Sequence, residues 1–377
     1  MGMTKNTNVL FYAPFVNKRF AGGPTVTAKI LEDNIQKFTH QDVHLSFFNS
    51  SPLERKDSNR GKICFENFIN YFLVKKEIKK ILQDNRIDII HVNSSVKLAL
   101  LKDLVLIKFL KRKYNIKILL HIRYADLEQV VFRNKFLKWI MLSFFDKYVD
   151  RVISLSKKFK DELVAAGLDS SRISVLYNFQ NYTIQMKKQH EEETTRILFL
   201  GSLEKRKGIW DMISILDRIT SAKYHVQFAG SFFDKETENI FMDTIKSKRW
   251  FSKVNFSGYI TGDIKKDTIM DSDIFILPTY GEGMPIAILE SMALGCVIIS
   301  TTVGAIPEII KEGENGFLFQ PGDVKGMSEA INRLMDHKDT MRQIQKNNIE
   351  KAKDFTVDTF IRNLIGIYKN TLEEELL

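Results

Sequence analysis

The stretch Asp273-Ile-Phe-Ile-Leu-Pro-Thr-Tyr-Gly-Glu-Gly-Met-Pro-Ile-Ala-Ile-Leu-Glu-Ser-Met-Ala-Leu-Gly295 decides the fold. The apolar run up to Leu277 reads as a buried strand, the glycines around Glu282 as a tight loop, and the residues after Met284 as a helix. A helix opening near Met284 or Pro285 exposes unpaired backbone N–H groups and the positive end of its dipole, and proline is tolerated in the first turn. Anions are favoured there. Gly281 and Gly283 let the backbone approach a ligand closely. Glu290 follows about two turns into the helix, on the side of its entrance. Glu282 would then meet the sugar-like end of a phosphate ester, and Glu290 a more distant pair of hydroxyls. The plain alternative is that Glu282 only complements the helix dipole and Glu290 is a solvated helix residue.

Outward from this stretch the chain alternates strands and helices in two runs. The first places strands at Asn8–Ala13, Asp42–Phe48, Asp88–Val92, Ile116–His121, Arg151–Leu155 and Ile173–Leu176. The second places them at Arg196–Leu200, His225–Ala229, Val254–Phe256, Ile274–Leu277, Val297–Ser300 and Phe317–Phe319. Such alternation predicts an α/β protein of two domains, each a doubly wound parallel sheet with helices on both faces, and two domains make a cleft possible. The expected boundaries are a domain over 1–180, a polar linker over 181–195 containing Lys187-Lys188-Gln189-His190-Glu191-Glu192-Glu193, a domain over 196–355, and a final helix over 356–377.

Composition narrows the class. A chain of 377 residues is too long for one ordinary core, and its 44% apolar content is that of a globular protein. The most apolar window, Leu98 to Leu110, is broken by Lys102, Asp103 and Lys108. No run approaches the ~18 residues of a membrane span. Two distant cysteines, Cys64 and Cys296, have no metal-like spacing, so a cytosolic chain without a disulfide framework is expected. The net charge of +10 is uneven: residues 1–180 carry about +14 and the remainder about −4. The excess clusters at Lys75-Lys76, Lys79-Lys80, Lys111-Arg112-Lys113, Arg133, Lys135, Lys138 and Lys157-Lys158, interleaved with Phe65, Phe68, Tyr71, Phe72, Phe132, Phe136, Trp139 and Phe144. Basic aromatic helices of this kind suit an anionic membrane surface; the alternative is a core-facing aromatic stripe with a solvated lysine face. No nucleic-acid-binding motif accompanies the charge, so nucleic acid is not expected as a partner.

Ligands of open parallel sheets bind at the carboxyl ends of the strands. The first strand ends in Ala21-Gly22-Gly23-Pro24-Thr25 before a helix, a glycine turn that lets backbone amides face the cleft. The fourth strand ends at His121, which puts an imidazole at the cleft. In the second half Gly201-Ser-Leu-Glu-Lys-Arg-Lys-Gly208 joins strand to helix and offers Lys205, Arg206 and Lys207 as a diphosphate clamp, or else is an exposed charged turn.

With these motifs the chain resembles the retaining glycosyltransferases of the GT-B fold, family four (group 1). The resemblance spans nearly the whole chain and implies two Rossmann-like domains facing a central cleft, with the final helix over 356–377 crossing back to the N-terminal acceptor-binding domain. Glu282 to Glu290 matches the family's paired-glutamate motif, Gly201 to Gly208 its basic loop, and Phe256-Ser-Gly-Tyr259-Ile260 its base-contacting loop. Gly304-Ala-Ile-Pro-Glu308 and Asn315-Gly-Phe-Leu318 are also usual there. In the first half Gly22, Gly23, His121, Ser154-Leu-Ser156 and Asn178 occupy the family's positions. The resemblance implies that Glu282 and the Gly283 and Met284 amides hold the donor sugar, with Pro285 and Ile286 opening the helix there. It implies that Glu290 holds the ribose hydroxyls, Tyr259 and Ile260 the base, and Lys207 with Arg206 the diphosphate. His121 would sit beside the transferred sugar and Gly22 and Gly23 would leave room for phosphate and acceptor, making Glu282, His121 and Lys207 the catalytic set. Two departures stand out: Gly201-Ser202 where Gly-Arg is usual, and Asn178-Phe179 where Asn-Gly is usual.

The activity so implied is metal-independent retaining hexosyl transfer from a nucleotide-diphosphate sugar, UDP-sugar favoured, with no cofactor. The acceptor would be a lipid-linked or membrane-associated glycan in bacterial surface-polysaccharide synthesis (capsule or lipopolysaccharide), the enzyme lying peripherally on the inner face of the cell membrane. Asp271-Ser-Asp273 spells a metal motif but lies at a strand entrance. The competing readings are a catalytically silent membrane-bound partner of another transferase and a GT-B sugar-nucleotide epimerase.

Overall fold

A computed structural model describes residues 6–14, 23–50, 65–94, 98–123, 134–184 and 194–373 of the 377. The chain divides into two compact units, Met1–Tyr177 with Asp358–Leu377, and Asn178–Val357.

The first unit holds a six-stranded sheet: β1 (Thr7–Ala13), β2 (Val43–Asn49), β3 (Ile89–Ser94), β4 (Lys117–Ile122), β5 (Arg151–Ser154) and β6 (Ile173–Val175), in the order β2-β1-β3-β4-β5-β6. Every neighbouring pair is parallel. Consecutive residues of β3 are all buried, so both faces are covered, as parallel sheets require. One face carries Leu10, Tyr12, Ile90, Val92, Ile118, Leu120 and Val152 into the main hydrophobic cluster, packed by Ile107 and Leu110 of helix Leu98–Lys113 and Phe145 of helix Lys135–Tyr148. Asp103, one of the charges that interrupt the apolar window, points inward. It accepts hydrogen bonds from Tyr12 Oη at 3.0 Å and Ser94 Oγ at 2.6 Å, and burial raises its carboxyl above the usual range.

The second unit holds β7 (Thr195–Leu200), β8 (Tyr224–Ala229), β9 (Val254–Gly258), β10 (Ile274–Leu277), β11 (Val297–Thr301) and β12 (Gly316–Phe319), in the order β12-β11-β10-β7-β8-β9 and again all parallel. The twelve strands read from the sequence are all present, with ends displaced by two residues at most.

Three local readings differ. The boundary between the units falls ahead of the expected linker: the second unit begins at Asn178, Gln180 N donates to Phe355 O at 2.9 Å, and Thr195 already opens β7. Residues 178–180 are thereby tied into the second unit by a backbone bond that hydropathy does not register, while Lys187 to Glu193 lie outside the described residues. The glycine turn does not end β1, which stops at Ala13; Gly23 is the first residue of helix Gly23–Asp33, and Gly22 lies outside the described residues. Pro285 sits one residue ahead of its helix, as N-cap with φ −72° and ψ 117°. Among the described residues no helix is long and apolar enough to cross a membrane.

Candidate functional site

In the second sheet the strand order reverses between β7 and β10, the switch point at which loops diverge to opposite faces and leave a crevice. The loops leaving those two strands are 201–208 and 278–285, and they are built as one piece. A side chain at Gly208, where φ is +79°, would place its Cβ 2.0 Å from Pro278 O. Tyr280 N donates to Arg206 O at 2.8 Å, and Thr279 Oγ1 donates to the same oxygen at 3.1 Å. This docking carries Lys207 to Glu282, and their Nζ and Oε1 form an ion pair between largely buried side chains. Arg206 is turned inward on the loops, donating to Gly281 O at 2.5 Å and Glu204 Oε1 at 2.8 Å. Through these two bonds Arg206 ties loop 201–208 to loop 278–285.

Behind Glu282 the backbone is clamped. Ala305 N donates to Gly283 O at 2.8 Å, and a Cβ at Gly304 would lie 2.1 Å from Glu282 O and 2.6 Å from Gly283 O. Asn178 Nδ2 donates to Met284 O at 2.7 Å, and Asn178 N approaches Met284 Sδ at 3.0 Å. The N–H groups of Gly283 and Met284 donate to no group among the described residues. They stand ahead of helix Ile286–Ala293, where the helix dipole favours an anion. Cation, carboxylate and free amides together suit a ligand that is anionic at one end and hydroxylated at the other.

Glu290, just over one turn into the same helix, is only 8% exposed, which removes its reading as a solvated residue. Lys265, on helix Gly262–Met270, approaches it with Nζ 2.7 Å from Oε1 and 2.5 Å from Oε2. Burial raises the Glu290 carboxyl above its ordinary value, and the Lys265 charge opposes that rise. Nearby Tyr182 has its phenol pushed up, first by burial and then by the charges of Glu290 and Asp263. Lys265 and Tyr182 escaped the sequence reading, because a lysine in an amphipathic turn and a tyrosine before a polar segment carry no spacing signal. Tyr259 is exposed just beyond β9, and Ile260 beside it is half-buried. Asp273 instead caps the amino end of the sheet: its Oδ2 accepts from Arg196 N at 2.9 Å, and Asp271 pairs with the Arg196 guanidinium. Among the described residues no group of three or more His, Cys, Asp or Glu could hold a metal.

In the first unit His121 is not an open strand-end imidazole. β4 runs one residue further, and His121 is 1% exposed. Its Nδ1 lies 3.2 Å from His91 Nε2, and His91 Nδ1 lies 2.7 Å from Tyr368 Oη on the C-terminal helix Val357–Glu373. Ser156 is a helix N-cap that accepts from Phe159 N at 3.0 Å, so part of Ser154-Leu-Ser156 is structural.

With this geometry in place, the chain can be set beside known proteins. The family model described as Glycosyltransferase Family 4 matches residues 41–181, and that described as Glycosyl transferases group 1 matches residues 181–351. The chain belongs to this glycosyltransferase family, and its fold is GT-B. It is 24% identical over 245 residues to the sulfoquinovosyl transferase SQD2 of Arabidopsis thaliana, covering 60% of this chain and 46% of that protein. It is 25% identical over 243 residues to the capsular polysaccharide biosynthesis glycosyltransferase CapM of Staphylococcus aureus, covering 59% of this chain and 62% of the relative. These matches therefore span roughly half to three fifths of the relatives' lengths. Among solved structures, sucrose-phosphate synthase from Thermosynechococcus elongatus has a TM-score of 0.79 at 16% identity, covering 98% of this chain and 100% of that one. The Anabaena protein HepE, solved in complex with UDP-glucose, has a TM-score of 0.69 at 15% identity, covering 97% and 99%.

Proposed function

We propose that the chain is a metal-independent retaining hexosyltransferase that moves a sugar from a nucleotide-diphosphate donor, UDP-sugar favoured, to a hydroxyl of a lipid-linked glycan in bacterial surface-polysaccharide assembly. The observation that carries this reading is the Lys207–Glu282 pair fixed across the switch point beside two free amides. On donor binding the diphosphate takes the Lys207 ammonium and the helix entrance, and Glu282 turns to accept from sugar hydroxyls. Glu290 accepts from the ribose, and Tyr259 with Ile260 packs on the base. The developing charge on the leaving diphosphate is met by Lys207 and the amides, so no metal is required of the site. The acceptor hydroxyl approaches from the face the diphosphate leaves, gives its proton to a leaving phosphate oxygen, and configuration is retained. The HepE complex with UDP-glucose favours a uridine donor, and the name of CapM favours a polysaccharide product.

A membrane-bound acceptor is favoured by helix Lys135–Tyr148. Phe136 and Trp139 are 65% and 64% exposed, Leu137 and Ile140 are exposed beside them, and Lys135 and Lys138 flank them. A lysine-rimmed aromatic face matches the headgroup boundary of an anionic bilayer on the inner side of the cell membrane. Purified protein would be incubated with UDP-, GDP- and dTDP-sugars and a bacterial lipid extract, with and without EDTA, following nucleoside diphosphate release. Release from one donor that rises with lipid, survives EDTA and disappears in Glu282→Ala is expected. Donor hydrolysis indifferent to lipid would replace the reading with an epimerase, and failure to bind any donor with a silent partner protein.

A further inference from the structure

The charge of Glu290 is balanced from within the second unit. Lys265 Nζ stands 2.7 Å from Oε1 and 2.5 Å from Oε2, so one ammonium bridges both carboxylate oxygens. The hydrogen bond proper runs to Oε1, while Oε2 is held by charge and accepts no aligned bond from the described residues. Two further groups belong to this cluster. Tyr182 has its phenol pushed up first by burial and then by the charges of Glu290 and Asp263, so it stays neutral, and Asp263 is itself an acid. Lys265 therefore carries the compensation. It also ties helix Gly262–Met270, whose one buried residue is Ile269, to helix Ile286–Ala293.

This pairing changes what Glu290 asks of a ligand. A carboxylate that accepts from a vicinal diol turns the edge between its two oxygens toward the pair of hydroxyls, and that edge is the one the Lys265 ammonium bridges. Ligand hydroxyls are left the outer lone pairs, one oxygen at a time. A buried site rejects an analogue lacking one hydroxyl by orders of magnitude when the loss strands a polar group of the protein. With Lys265 in place the loss of one ribose hydroxyl leaves Glu290 paired. What disappears is one ordinary hydrogen bond, about tenfold in affinity or less. Without Lys265 the same loss leaves a buried carboxylate half-satisfied, at roughly a hundredfold or more.

We propose that Lys265 is a specificity-determining residue that relieves Glu290 of its dependence on both ribose hydroxyls, so that the donor site admits 2′-deoxyribonucleoside diphosphate sugars alongside ribonucleoside ones. This rests on the transferase reading, which sets the ribose on Glu290. The groups given to the diphosphate and the transferred sugar, Lys207 and Glu282, serve both classes alike.

The test is titration calorimetry on the full-length protein at pH 8 with UDP and 2′-deoxy-UDP, which differ by one hydroxyl alone. Wild type is expected to bind the two within about tenfold of each other. Lys265→Met is expected to widen that ratio by about a further tenfold or more, and Lys265→Arg, which keeps a cation on the carboxylate, to hold the wild-type ratio. A lysine that only anchors its helix would weaken both nucleotides alike in Lys265→Met; an unmoved ratio overturns the assignment. A wild-type preference for UDP beyond the tenfold overturns it as well, and that reading needs no variant to fold. If folded wild type binds neither nucleotide, the transferase reading itself has failed and the assignment falls with it, whereas binding of both with an unmoved ratio removes Lys265 alone.

Discussion

Gly304→Ala isolates the placement of Glu282 from the chemistry of its carboxylate. The new Cβ would lie 2.1 Å from Glu282 O and 2.6 Å from Gly283 O, so the loop must retreat by about 0.9 Å to reach even the 3.0 Å limit of real contacts. The atoms in the way are backbone, and Ala305 N to Gly283 O at 2.8 Å ties them to the glycine's own neighbour, so no side chain can yield instead. A displacement of about 1 Å in a substrate-holding group costs roughly a hundredfold in rate. The φ of +56° adds about 1–2 kcal/mol of backbone strain for an alanine. Strain and displacement can be separated with Gly313→Ala, where φ is +73° but nothing lies within 4 Å of the added carbon. Both variants should lose comparable strain energy in denaturant unfolding, with a further loss in Gly304→Ala. Only Gly304→Ala should lose roughly two orders of magnitude in kcat/KM for donor turnover. Equal activity of the two variants would refute the argument that Gly304 sets the position of the Glu282–Gly283 backbone.

Lys265→Met leaves the Glu290 carboxyl buried without its partner and should destabilise the second unit by about 2–3 kcal/mol at pH 8, with Glu290→Gln in the same chain restoring most of it; a neutral Lys265→Met would show that the pair holds nothing. The carboxyl of Glu290 is raised in the folded state, so the native protein binds its proton more tightly than the unfolded chain does. Its stability relative to Glu290→Gln is therefore greatest at low pH and falls as pH climbs above the ordinary 4.5, measured by urea unfolding across pH; a rise with pH would reverse the sign argued here. Replacing Phe136 and Trp139 by serine should weaken flotation with anionic vesicles at least tenfold while leaving unfolding unchanged, because both rings are exposed and stack on each other; equal flotation would remove the membrane from the function.

Most of the architecture was legible because parallel strands covered on both faces must be short, apolar and β-branched, and twelve such segments recur between amphipathic intervals. The pairing of Gly281-Glu-Gly283 with Glu290 was legible for the same kind of reason: glycines before a helix, with carboxylates two turns apart, are a local pattern. Lys207 was legible as one of three adjacent cations, but not as the one that reaches Glu282. That choice is made by Gly208 packing on Pro278, a contact between residues seventy positions apart. The bonds of Arg206 to Gly281 and Glu204 were not legible for the same reason, since those partner oxygens come within reach only once the loops have docked.

By itself the sequence determined the two sheets, the helix entrance at Met284 and Pro285, and the basic, aromatic character of the first half, all consequences of periodicity, turn chemistry and composition within a few residues. The tertiary structure alone decided which charges meet. It buried Glu290 against Lys265, closed Lys207 on Glu282, and threaded Tyr368 to His121 through His91 across 247 positions of chain. Hydrogen bonds and ion pairs act over about 3 Å, and only the folded chain brings such distant residues within that range.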